Sequence, residues 1–94
     1  MDERRCYSCH QNSFADPLER HHVYGGNPND RKRSEKYGAM VYLCGDKCHR
    51  NGRHAVHQDG DVMRGLRREF QVKIMREQGW TEDDFRREFG KSYL

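Results

Sequence analysis

The sequence predicts a small α+β domain stabilised by zinc, with two helices at its C-terminal end. Three observations carry this. The 94 residues are 33% apolar and 35% charged, so a short chain has little to bury and needs a staple besides its core. Four cysteines fall in two close pairs, Cys6-x2-Cys9 and Cys44-x3-Cys48. From Asp59 onward the apolar residues take up a helical spacing.

Composition also excludes. The longest apolar run, "AMVYLC" at 39–44, is far short of the ~20 residues that span a bilayer. The N-terminus "MDERRCYSCH" is charged and lacks the apolar core of a signal peptide. The expectation is a soluble cytoplasmic protein, in a compartment that keeps thiols reduced. Net charge is +3. Residues 1–58 carry ten basic and seven acidic side chains, and residues 59–94 eight of each. An excess this mild says little by itself about a polyanionic partner. All six histidines and all four cysteines precede residue 58, so residues 1–58 are expected to hold the chemistry and residues 59–94 to form a helical brace of the same domain.

The elements follow in order. Residues 1–14 hold the first Cys-x2-Cys turn. Residues 16–26 read as a strand or extended piece ending at Gly25-Gly26. "NPNDRKRSEK", 27–36, is polar and turn-rich and reads as a loop. "AMVYLC" is β-prone and reads as a short strand entering Cys44. Cys48 to about Arg53 reads as a short helix stopped near Gly52. Val62, Leu66, Phe70 and Ile74 recur every four residues, predicting an amphipathic helix begun by Asp59 or Asp61 and ended by Gly79. "TEDDFRREFG" predicts a second helix, capped by Thr81, acidic in its first turn and stopped by Gly90. Phe85 and Phe89 share one face of it and should dock on the first helix. Trp80 should pin the last helix.

Each cysteine pair lets two thiolates face one ion, and two such loops complete a tetrahedron at Zn–S distances of about 2.3 Å. Two disulfides or buried free thiols are the alternatives. A reducing compartment disfavours disulfides, and the pairing in short loops favours Cys6, Cys9, Cys44 and Cys48 as one zinc site. Four thiolates leave no open position, so that zinc is structural. Binding free energies of such ions, about 10–16 kcal/mol, match or exceed typical domain stabilities of about 5–15 kcal/mol. The staple also draws Cys48-His49 toward the strand containing "ERHHVYGG", residues 19–26, making His21, His22 and His49 neighbours.

The order Cys-x2-Cys, "ERHHVYGG", polar loop, "VYLC", "CGDKCHR" resembles the HNH family of ββα-metal, or His-Me finger, endonucleases. The nearest likeness is to small phage- and prophage-encoded members with zinc knuckles. It covers residues 6 to about 58, and "RKRSEKYG", "AVH" and "REFGKSYL" look like that group too. The resemblance implies a ββα-metal core and hydrolysis of DNA phosphodiester bonds. It implies that His21 binds a divalent ion, that His22 is the general base and that His49 is a second ligand. A further ligand comes from the segment that follows in some members; His57 is the candidate here and His54 the weaker one. The resemblance also implies double-stranded DNA as partner, a bacterial host cell as setting, and a phage or host protein as a possible associate.

The residue types suit that chemistry. An imidazole with an unperturbed pKa of about 6.5 can deprotonate water near neutral pH, contributing roughly 10²–10⁴-fold. A divalent ion stabilises the charge that develops on phosphate and leaving oxygen. It could be Mg²⁺, Mn²⁺, Ni²⁺ or Zn²⁺, and a histidine in the first ligand position suits the softer ions better than Mg²⁺. Arg20, Arg31, Lys32, Arg33 and Arg50 are candidate phosphate contacts, since basic side chains hold the backbone without reading sequence. His10 reads as a solvated loop residue. The chain departs from the family in one respect. The asparagine expected a few residues before the third cysteine is absent. Gly38 and Ala39 lie near that place, with Asn27 and Asn29 in the preceding loop. The alternative function is therefore a catalytically silent zinc module that binds nucleic acid or protein on the same scaffold.

Overall fold

The computed structural model describes residues 4–12 and 14–94; the first part of the N-terminal segment expected to precede Cys6 lies outside them. Strand β1, Leu18–His22, pairs antiparallel with β2, Met40–Cys44, in a register that sets Leu18 opposite Cys44 and His22 opposite Met40. Helix α1, Pro28–Lys36, joins the strands. One widened turn, Gly45–Arg50, follows β2, and its Asn51 N–H donates to the Asp46 carbonyl five residues back. Helices α2, Gly60–Gln78, and α3, Glu82–Phe89, complete the chain. The fold is small and α+β. No helix among the described residues is long and apolar enough to cross a membrane.

Two elements differ from the sequence expectation. Residues 27–36 form a helix, not a loop. Asn27 is its cap, accepting from the Asp30 N–H at 2.9 Å, and Pro28 opens the first turn, where its missing N–H is no loss. A helix almost wholly polar has no apolar stripe to announce it. One buried side chain fixes it: the Ser34 hydroxyl accepts from the Tyr24 N–H at 2.8 Å and donates to the Tyr24 carbonyl at 2.9 Å. The helix expected over Cys48–Arg53 is instead the widened turn, and it begins three residues earlier. Asp16 starts it, its two carboxylate oxygens accepting from the Asp46 and Lys47 N–H groups at 2.8 and 3.0 Å.

The C-terminal helices follow the pattern read from the sequence. Asp59 caps α2, Thr81 and Asp84 form a reciprocal capping box on α3, and Gly79 and Gly90 end the two helices in left-handed conformations. Leu66, Phe70 and Ile74 of α2 and Phe85 and Phe89 of α3 share one core with Val23, Tyr24, Val41 and Leu43. Phe85 and Phe89 stack at 4.4 Å between ring centres, and Tyr24 meets Phe89 at 4.7 Å. The Tyr24 hydroxyl donates to the Arg67 carbonyl at 2.6 Å, and the Arg67 Nε–H donates to the Val23 carbonyl at 2.9 Å. Residues 59–94 are thus bolted to the exit of β1, one and two residues past the histidine pair. Trp80 is half-buried and meets Tyr37 edge-to-face at 5.2 Å, so it ties the junction of α2 and α3 to the end of α1.

Candidate metal centres

Cys6, Cys9, Cys44 and Cys48 converge with their sulfurs within 4.8 Å of one another; Cys9 and Cys44 Sγ are 3.4 Å apart. No disulfide links them. Tetrahedral thiolates at about 2.3 Å from one ion stand roughly 3.8 Å apart, so the four can hold a structural metal such as zinc. The first knuckle folds tightly: the His10 N–H donates to the Cys6 carbonyl at 2.9 Å, and the Cys9 N–H points at the Cys6 sulfur at 3.4 Å. His10 is exposed, with φ of 64°, the left-handed conformation that lets the chain leave the knuckle. Burial pushes the Cys6 thiol up, but backbone N–H groups of Cys9, Cys44 and Ser8 outweigh it and bring it down to about 6. Burial pushes Cys44 up to about 12 and raises Cys48 as well. Crowded thiols without a cation resist joint ionisation; a metal supplies the missing positive charge.

The second cluster is built from β1. Successive strand residues face opposite sides. Glu19 and His21 therefore share one side, and Arg20 and His22 the other. His21 is buried, and its Nδ1 lies 3.2 Å from His49 Nε2. His57 Nε2 lies 3.1 Å from the same atom. His57 is set there by backbone: its N–H donates to the His49 carbonyl and that of Val56 to the Cys48 carbonyl, while Ala55 and Val56 are buried. His54 is exposed and lies 3.4 Å from Asp59, so His57 is the member of the cluster and His54 is not.

Three imidazoles about 2.0–2.1 Å from one ion stand about 3.4 Å apart in a tetrahedron, close to the spacing here. Nδ1 of His49 lies 3.0 Å from Glu19. An ionised carboxylate only accepts, so the ring proton is on Nδ1 and Nε2 offers its lone pair to the cluster. Arg50 and His49 hold the Glu19 carboxyl down to about 2, which keeps it in that state. His21 Nε2 is buried with no hydrogen-bond partner, an orphan where a native structure rarely leaves one. Burial, then His49 and His57, lower His21 to about 4, and burial also lowers His57. His21 and His57 are thereby biased to the neutral form that a metal ligand needs.

Gly52 is required by close approach, since a Cβ there would stand 1.8 Å from the Lys47 carbonyl oxygen. A Cβ at Gly45 would stand 2.9 Å from the Glu19 carboxyl carbon and would push that side chain aside.

His22 lies on the other side of β1. Its Nε2 is 3.0 Å from Glu35 on α1, and Arg20 is 3.6 Å from the same carboxylate oxygen. The hydrogen bond with His22 holds the Glu35 carboxyl below the usual range. Ala39, at the place expected for the missing asparagine, is fully buried and bonds only through its backbone, accepting from the Val23 N–H at 2.9 Å and donating to the Ser34 carbonyl at 2.7 Å. Asn27 is spent on the cap of α1. Among the candidate phosphate contacts, Arg31 and Lys32 are exposed on α1, Arg33 pairs with Asp30 and Glu88, and Arg50 is held on Glu19. The sequence reading missed Glu19 and Glu35. Glu19 was within reach, because it stands two residues before His21 on a strand. Glu35 was not, because it reaches His22 only if residues 28–36 are helical.

No protein-family model, curated protein or solved structure matches this chain. The functional reading therefore rests on the chemistry of these two clusters.

Proposed function

We propose that this protein is a metal-dependent endonuclease of the HNH type, hydrolysing phosphodiester bonds of DNA on a ββα-metal core stapled by zinc. The observation that carries the reading is the division of the adjacent histidines. His21 converges with His49 and His57 at ligand spacing, while His22 faces away toward Glu35. In this reading His21, His49 and His57 hold a divalent ion, which when bound stabilises charge on the phosphate and the leaving oxygen. Glu35, as an ionised acceptor, keeps a proton on His22 Nε2 and leaves the Nδ1 lone pair to take a proton from the attacking water. Glu19 orients the His49 ring, and its own position is fixed by Arg50. The leaving oxygen takes a proton from solvent and His22 gives its own back to solvent, so the step ends with a free hydroxyl, a phosphate monoester and a neutral His22.

The test is cleavage of supercoiled plasmid by zinc-loaded protein given Mg²⁺, Mn²⁺, Ni²⁺ or Zn²⁺. Wild type should nick or cut in at least one of these, and His22→Ala should lose at least about 100-fold while keeping its circular dichroism spectrum. Equal behaviour of the two in every metal would sink the catalytic role.

One observation favours the second reading, a silent binding module: no asparagine anchors the turn after β1, since Asn27 caps α1. That reading expects salt-sensitive DNA binding, no cleavage, and one tightly held zinc per chain.

A further inference from the structure

A cleft of about 570 Å³ runs beside α2, lined by Arg64, Arg67, Arg68, Lys91, Ser92 and Tyr93 among others. No acidic side chain is among the residues that line it. Tyr93 has two of these cations over its ring, Lys91 Nζ at 5.3 Å and the Arg67 guanidinium at 5.7 Å from the ring centre. The Arg68 Nε–H donates to the Tyr93 carbonyl at 3.4 Å, so the helix and the C-terminal segment are held together across the cleft. Arg64 and Lys91 are exposed, and the ion pair between Arg64 and Asp61 is a surface contact with the acid almost fully solvated. Such a pair contributes little and yields readily to a phosphate.

The cleft connects to the exit of β1 through one side chain. Arg67 lines it and also donates to the carbonyl of Val23, the residue after His22. Four cations in a concave wall focus a positive potential, and Arg67 ties this wall to the backbone one residue past His22. Arginine forks and a lysine suit phosphate oxygens, and a tyrosine face suits a sugar or an unstacked base.

We propose that this cleft carries the sugar-phosphate backbone of the DNA flanking the cleaved bond, with Arg64, Arg68 and Lys91 as its contacts and Arg67 as the junction with the active site. The proposal rests on the nuclease reading for its choice of DNA. It moves the main phosphate track from the basic run Arg31-Lys32-Arg33 to α2 and the C-terminal segment.

The test is binding of a DNA duplex by the full-length, zinc-loaded protein in a His22→Ala background, which blocks cleavage. Arg64→Ala/Arg68→Ala/Lys91→Ala should flatten the plot of log affinity against log salt by about 2–3 units, since each lost phosphate contact removes about 0.9. Arg64→Lys/Arg68→Lys, which keeps the charges, should retain most of the slope. Lys36→Ala/Lys73→Ala/Arg76→Ala removes three other exposed cations and should change it less. An unchanged slope in the cleft variant, or equal losses in both alanine triples, overturns the proposal. Tighter binding of an RNA duplex of the same sequence overturns the choice of DNA. Plasmid cutting by the wild-type chain is scored separately: if it is absent while the cleft variant still loses binding, the cleft stands and the nuclease reading falls. If the cleft substitutions made with His22 intact leave both cutting and binding at the wild-type level, the reverse holds.

Discussion

Glu35 Oε1 lies 3.0 Å from His22 Nε2, joining the end of α1 to the last residue of β1. In the proposed mechanism this contact occupies the nitrogen that would otherwise compete for the water proton. Glu35→Gln should keep the fold and lower kcat by about 10-fold or more, with KM little changed. Steady-state kinetics on a defined duplex would show it. A rise in KM with kcat intact would make Glu35 a substrate contact instead.

The four-cysteine cluster should decide whether the chain folds. A strong chelator, or Cys48→Ser, should remove the helical signal in circular dichroism at room temperature, because an ion worth about 10–16 kcal/mol outweighs a thin core. Re-adding zinc should restore the chelated wild type. Retention of a cooperative thermal transition without zinc would show that the core suffices.

His57 and His54 are close in sequence and differ in place. His57→Ala should weaken the proposed metal site at the histidines by at least the roughly 10–100-fold that loss of an outer-shell partner costs, in a titration of zinc-loaded protein with Ni²⁺ or Mn²⁺. His54→Ala, at an exposed ring beside Asp59, should leave the affinity within about twofold. Equal losses would dissolve the distinction between them.

Acid should destabilise the protein through His21. Burial, then His49 and His57, lower its pKa from 6.5 to about 4, so the folded state prefers the neutral ring. The stability this contributes is complete above the unfolded value of 6.5 and is lost as pH falls from there to about 4. A metal on the ring acts in the same direction. Urea midpoints should fall across that window, and His21→Gln should flatten the part of the fall that His21 causes. An equally steep fall in the variant would assign it to the cysteines.

Ser34 is fully buried and bonded at both the N–H and the carbonyl of Tyr24. Ser34→Ala leaves both backbone groups without a partner and should cost about 1–3 kcal/mol. Since α1 has no other buried side chain, its amides should also exchange faster with solvent than those of α2. Unchanged protection of α1 would mean that its caps hold it alone.

The C-terminal helices were legible because their signals are local. Thr81 with Asp84, Asp59, Gly79 and Gly90 mark ends, and the four-residue spacing of Leu66, Phe70 and Ile74 marks a buried face. Helix α1 carried a legible start, Asn27-Pro28, but no apolar stripe to outweigh its turn-rich composition. The widened turn at Gly45–Arg50 was not legible, because it depends on Asp16, thirty residues earlier, and on Gly52, whose need appears only when the chain packs.

By itself, the sequence determined the pairing of cysteines that can share one ion, the separation of His21 from His22 by the pleat of a strand, and the apolar face of α2. These follow from spacing alone, since backbone periodicity fixes which side a residue takes. The tertiary structure decided which histidine joins His21 and His49, which carboxylates hold His49 and His22, and where the cations of α2 gather. Those are contacts between residues far apart in the chain. They exist only once Tyr24, Arg67 and the backbone bonds at Cys48 and His49 bring the segments together.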